Sequence, residues 1–225
     1  AATPGWPAMS EFLLELLSEE IPARMQARAA DDLKRLVTEG LKKARLDFTS
    51  AEAYVTPRRL VLVVDGLPER QPDLTEERKG PRVGAPDKAI EGFLRAAGLD
   101  SLDQCEKRDM GKGGEIWFAV SERQGVATTQ ALADLLGTVL ADLPWPKSMR
   151  WGATGFRWVR PLHSVLALFD GKAIDFAIDL QGGSVPAGAR TSGHRFLAPD
   201  AFAVSSFADY REKLRDAKVL IDPAE

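Results

Sequence analysis

Residues 60–64 read Leu-Val-Leu-Val-Val, an apolar and mostly β-branched run with no polar break. A strand of this kind must be well buried, because a half-wet strand alternates apolar and polar residues. Residues 11–17 (Glu-Phe-Leu-Leu-Glu-Leu-Leu) form a second apolar stretch. Period alone does not separate strand from helix there. Ser18-Glu19-Glu20-Ile21-Pro22 then supplies helix-start chemistry, so a strand feeding a helix is the reading. The helix is expected over about 23–46, with Leu33, Leu36, Val37, Leu41 and Ala44 on one face. Residues 52–55 and 59–64 form a hairpin around Thr56-Pro57-Arg58.

From Pro68 to Pro86 the chain is polar and rich in Pro, Gly and charge, which reads as a long loop. A helix over 87–97 ends at Gly98. Strands at 104–109 and 115–121 are joined by Met110-Gly111-Lys112-Gly113-Gly114, a glycine-rich hairpin turn without the spacing of a phosphate loop. Residues 128–141 form a helix that Pro144 and Pro146 end. Residues 164–169 and 173–180 pair around Asp170-Gly171, residues 182–188 make a second turn region, and 207–217 form a last helix. Val219-Leu220-Ile221 is strand-like, and Asp222-Pro223 opens a helix. Mixed order with hairpins gives an α+β fold, with mixed and antiparallel sheets packed against a few amphipathic helices. A length of 225 residues allows one large domain or two small ones, with a boundary near 68–86 or 143–160. Residues 1–8 read as an upstream extension or vector remnant and Met9 as the native start.

Composition removes several classes of function. No apolar run approaches the roughly 18 residues of a membrane span. A net charge of −3 excludes a bulk polycation, though not a local basic face. One cysteine and two histidines exclude a disulfide framework and a Cys/His zinc site. Cys105 reads as a packed, inert thiol in a reducing compartment. His163 and His194 read as structural histidines; a hidden hydrolytic or editing site around them is a third-rank alternative.

Residues 143–169 contain no acid, where the chain's average predicts about four, and carry Lys147, Arg150, Arg157 and Arg160. They also hold Trp145, Trp151 and Trp158. Cations meet phosphates and rings stack on bases, so the pattern suits RNA. Trp151 is the stacking candidate and Trp158 a core residue. Residues 180–199 are a second acid-free stretch with Arg190, His194 and Arg195. Arg58 and Arg59 follow a Pro-fixed turn as a cationic tip, with Arg59 also a candidate internal partner. Arg78, Lys79 and Arg82 follow two acids and read as a solvated loop. Protein interfaces favour Trp and Arg as well, so a purely structural scaffold without RNA contact is the alternative.

Several segments together resemble the β subunit of the bacterial heterotetrameric glycyl-tRNA synthetase. They are Leu13-Leu14-Glu15-Leu16 with Glu19-Glu20-Ile21-Pro22, Thr56-Pro57-Arg58-Arg59-Leu60, Lys79-Gly80-Pro81, Pro144-Trp145-Pro146-Lys147-Ser148-Met149-Arg150-Trp151, Val159-Arg160-Pro161-Leu162-His163 and Ser192-Gly193-His194-Arg195-Phe196-Leu197. Their order and spacing match the amino-terminal part of that subunit, from Met9 to the end. The resemblance implies a piece of a cytoplasmic enzyme that joins glycine to its tRNA with ATP. It implies that ATP and magnesium belong to a separate α subunit, with no cofactor in this piece. It implies as partners that α subunit, the glycine tRNA and the rest of the β subunit, and no membrane.

Overall fold

The computed structural model describes residues 10–111, 114–150, 155–180 and 183–224. The chain runs β1 (Ser10–Ser18), α1 (Ala23–Lys43), β2 (Ser50–Thr56), β3 (Arg59–Leu67), β4 (Leu74–Arg82), α2 (Asp87–Ala97), β5 (Cys105–Asp109), β6 (Glu115–Arg123) and α3 (Thr128–Asp142). It continues with β7 (Met149–Arg150), β8 (Arg157–Trp158), β9 (Leu162–Phe169), β10 (Lys172–Ala173), β11 (Ala177–Asp179), β12 (Ser184–Gly188), β13 (Arg190–Ser192), β14 (Ala201–Ala203) and α4 (Phe207–Asp216). The fold is α+β, with mixed and antiparallel sheets. Two compact units are present: one comprises residues up to Gln71 and from Val126 onward, the other Pro72–Gly125.

The larger unit is built on a sheet ordered β11-β12-β9-β1-β3-β2, with β10 paired to β9. β1 is central and antiparallel to both neighbours; Leu14 stands opposite Leu62 on one side and Ala167 on the other. Both faces of this centre are covered, which is why its strands read as continuous apolar runs. On one face Phe12, Leu14, Leu16, Leu60, Leu62 and Val64 join a core with α1 and α3. Leu33, Val37 and Leu41 of α1 are fully buried there. Each such side chain contributes about 1.5–3 kcal/mol on burial. Gly40 lets the helices meet closely, since a Cβ there would lie 2.1 Å from Leu135 Cδ1. On the other face Leu13, Val61, Leu166 and Leu168 pack with Val204, Tyr210, Leu214 and Ile221. The N-terminus of α4 is held twice: Ser206 Oγ accepts from Asp209 N (3.1 Å), and Glu11 Oε1 accepts from Phe207 N (2.7 Å).

The smaller unit is a three-stranded sheet, β4-β6-β5, with α2 packed on it. Phe93 of α2 meets Trp117 and Ala119 of β6. Gly98 closes α2 in the left-handed region at φ 68°.

Four expectations are corrected. The supposed loop over 68–86 contains β4, whose residues are mostly exposed. As an edge strand it needs only β6 as a partner, so its sequence shows no apolar alternation. Pro81 falls where the pairing slips between Lys79 and Arg82, so its missing N–H costs no ladder bond. The supposed strand over 173–180 breaks after Ala173: β10 pairs with β9, whereas β11 pairs with β12. The turn region over 182–188 holds β12, which lies parallel to β9 through Ala187 and Gly188. Residues 219–221 form no strand, and Ile221 is instead buried under α4. In the turn after it, Ala224 N donates to Asp222 Oδ1 (2.9 Å).

Candidate functional site

The link from β1 to α1 is bonded through its backbone to two distant segments. Ser18 N donates to Arg58 O (2.8 Å), Ile21 N to Pro57 O (2.6 Å) and Glu19 N to Pro161 O (2.9 Å). The β2–β3 turn and the approach to β9 therefore meet at the start of α1. Arg58 Nε adds a bond to Ser18 O (3.1 Å). Glu19 lies at the centre: its Oε1 accepts from His163 Nε2 at 2.7 Å, with Arg58 Nη2 at 3.6 Å and Arg195 Nη1 at 3.6 Å from the carboxylate. Arg195 Nη2 also approaches Glu20 at 3.5 Å. The His163 bond first, then the two arginines, hold the Glu19 carboxyl below the usual carboxylate range. These pairs are open to water, so each contributes little stability and mainly fixes direction.

Inside the same corner is a buried polar network. Glu15 is fully buried and Arg59 is 3% exposed. Arg59 Nε donates to Glu15 Oε2 (3.1 Å), and its Nη2 donates to the carbonyls of Ser192 and Gly193. The hydroxyls of Thr191 and Tyr210 both donate to Glu15. Burial, and then the Glu15 charge, push the Tyr210 phenol well above its ordinary value, so it stays a donor. The network ties β1, β3, β13 and α4 together and carries the Gly193–Leu197 loop against the Glu19 cluster. Gly193 is needed for this approach: a Cβ would lie 2.6 Å from Ala217 O and 2.7 Å from Ala198 O. In the loop, His194 Nδ1 accepts from the backbone N–H of Phe196 (3.3 Å) and Leu197 (3.2 Å). Phe196 and Leu197 are 74% and 71% exposed, with the Arg195 guanidinium 4.7 Å from the Phe196 ring. A cleft of about 340 Å³ opens here, lined by Arg58, His194, Arg195, Phe196, Lys218 and Leu220 among others.

The acid-free stretch lies elsewhere. β7 and β8 form a two-stranded ribbon in which Arg150 stands directly opposite Arg157. Both are exposed, as is Lys147. Arg157 Nε donates to Ser148 Oγ (3.1 Å). No carboxylate among the described residues pairs with any of the three. Trp158, on the same ribbon, is 1% exposed and packs edge-on against Trp145 at 5.1 Å. Like charges directly opposite across a ladder repel, so the ribbon is suited to an anionic partner.

The sequence-predicted residues thus fall into groups. Lys147, Arg150 and Arg157 share the ribbon. Arg58, His194 and Arg195 share the Glu19 corner. Arg160 is half-buried and bonds Val159 O (2.9 Å), next to the Pro161 carbonyl that Glu19 uses. Arg190 donates to Ala201 O (2.6 Å) within the β13–β14 ribbon. Arg59 is corrected: its guanidinium is consumed by Glu15 and two carbonyls, so it offers no external cation. Trp151 lies outside the described residues. Cys105 is partly buried, and burial pushes its thiol up, away from thiolate chemistry. Residue-by-residue reading missed Glu15, Thr191 and Tyr210 as one network. The available signal was Glu15 itself, a carboxylate inside an apolar strand, which demands a buried partner. No helix among the described residues is long and apolar enough to cross a membrane.

Comparison with known proteins extends this picture. A family model described as glycyl-tRNA synthetase beta subunit matches residues 12–225. The chain is 51% identical to a protein of Rhodospirillum centenum named glycine–tRNA ligase beta subunit, with 96% of this chain and 33% of the relative covered. Proteins of the same name from Ruegeria sp. and Paracoccus denitrificans are each 52% identical, with 96% of this chain and 31% of each relative covered. The chain spans about a third of the length of these relatives.

Proposed function

The chain belongs to the glycyl-tRNA synthetase beta subunit family, and on that premise we propose that it serves glycine–tRNA ligase as a tRNA-docking and subunit-contact module. The observation that carries the docking half is the β7–β8 ribbon, where Arg150 and Arg157 face each other without a carboxylate partner among the described residues. Their mutual repulsion is relieved by a phosphate backbone. In this reading Lys147, Arg150 and Arg157 take phosphates, and ATP, magnesium and glycyl-adenylate chemistry belong to the separate α subunit in the cytoplasm. The contact half rests on Phe196 and Leu197, exposed apolar side chains on a loop that a buried network holds in place. Such a loop suits a protein surface, either the α subunit or the rest of the β chain.

A salt titration tests the docking half. With glycine tRNA and an unrelated tRNA as ligands, affinity is expected to fall steeply as salt rises. Replacing Arg150 and Arg157 by Ala removes two phosphate contacts and flattens the log–log slope by about 2. Equal binding of the two tRNAs means that shape and phosphate are read here and identity elsewhere. Absence of binding at low salt by the folded chain overturns the docking half and leaves the scaffold reading, with the α subunit as the next ligand to titrate.

A further inference from the structure

A second cleft, of about 450 Å³, opens beside the ribbon. Gly137 and Leu140 of α3, Phe156, Phe176, Ile178 and Arg157 are among the residues that line it. Its volume falls within the roughly 300–1,000 Å³ of small-ligand sites. We propose that this cleft receives the base of an unpaired RNA nucleotide whose phosphates lie on the β7–β8 ribbon. The proposal rests on the ribbon-docking reading and names what that surface holds.

Three observations support it. Apart from Arg157 and Asp179 the lining is apolar and aromatic, and Phe176 is half-buried, so part of its ring is accessible for stacking. Every base has a π-face, so such a wall accepts nucleotides with little regard to sequence. Arg157 belongs to both sites: it is a ribbon residue and a cleft residue. Its Nε is bonded to Ser148 Oγ, which aims the guanidinium and leaves its terminal nitrogens without a hydrogen-bond partner among the described residues. A guanidinium in that position reaches a phosphate while the attached base enters the cleft. The floor, finally, is kept open by a glycine. A Cβ at Gly137 would meet only Phe176 Cε2, at 4.0 Å, so a side chain there is excluded by neither backbone nor φ. The space is available, and helix propensity disfavours glycine at that position.

Gly137→Leu therefore fills the cleft without straining α3. Glycine tRNA transcript is titrated into the full chain across a salt series, for the parent, Gly137→Leu, Phe176→Leu and the Arg150→Ala/Arg157→Ala double variant. Melting curves confirm that each is folded. Both cleft variants are expected to weaken binding about tenfold with the salt slope unchanged, because a lost stack releases no counterions. The arginine variant is expected to weaken binding and flatten the slope. Parent-like affinity in both cleft variants, with the arginine effect intact, overturns the base cleft and leaves the ribbon reading standing. No effect of the arginine variant overturns the ribbon reading and the cleft with it. Weakened binding of purified α subunit by Gly137→Leu, with tRNA affinity unchanged, assigns the cleft to a protein partner and overturns the proposal.

Discussion

At the scale of single residues the decisive group is Glu15. It has two cationic or hydroxylic neighbours on one oxygen and a hydroxyl on the other, all inside the protein. Glu15→Gln leaves the Arg59 charge buried without its counter-ion and is expected to cost about 3–5 kcal/mol in urea unfolding. Replacing both partners, Glu15→Leu with Arg59→Met, is expected to lie closer to the parent than Glu15→Gln alone, since no charge is then stranded. Glu19 behaves differently because it is exposed. Its folded pKa lies below the ordinary 4.5. The stabilisation is therefore present above pH 4.5 and is lost as pH falls through the depressed value. Thermal melts of Glu19→Gln should show a small deficit at neutral pH that closes in acid; a deficit that persists unchanged at low pH contradicts the assigned linkage.

At the scale of elements, legibility followed burial. β3 and α1 were readable because an apolar run and a 3.6-residue stripe are direct traces of being covered. β4 and β12 were not, because their sequences record other constraints. β4 is charged where it is an edge, and β12 carries Pro186 and Gly188 where it is short. The site shows the same division. The basic stretch was visible as a bias in composition, whereas the opposition of Arg150 to Arg157 required the register. The convergence of the Glu19 and Gly193 loops depends on a backbone bond to Pro161 and on the Arg59 guanidinium, each joining segments more than a hundred residues apart, and no local pattern encodes them. Within the smaller unit, Gly80 of β4 lies under the Phe93 ring, and a Cβ there would approach it to 2.7 Å. Gly80→Ala is expected to destabilise the α2–β4 packing by about 1–3 kcal/mol. Hydrogen exchange should register this at amides of 74–123 while those of β1, β3 and β9 stay protected; uniform loss of protection contradicts a local effect.

At the scale of the whole molecule, the chain leaves the larger unit and returns to it at one place. Gln71 N donates to Val126 O (2.9 Å) and Thr128 N to Glu69 O (2.9 Å), while Arg70 bridges to Ala127. The stems on either side of Pro72–Gly125 are thus already joined. Replacing Pro72–Gly125 by a short Gly-Ser link is expected to leave a larger unit that still unfolds cooperatively, as read by calorimetry. Loss of that transition would mean that the smaller unit is required for folding. The position of β1 has a further consequence, which concerns time. One of its edges is taken by β3, a neighbour in sequence, but the other waits for β9. Between Leu67 and Leu162 the ribosome must add roughly a hundred residues, which at ordinary elongation rates takes about 5–20 s. For that interval the nascent chain carries a long, apolar, half-paired strand, so these are the seconds in which a chaperone protects it or a neighbouring polypeptide captures it.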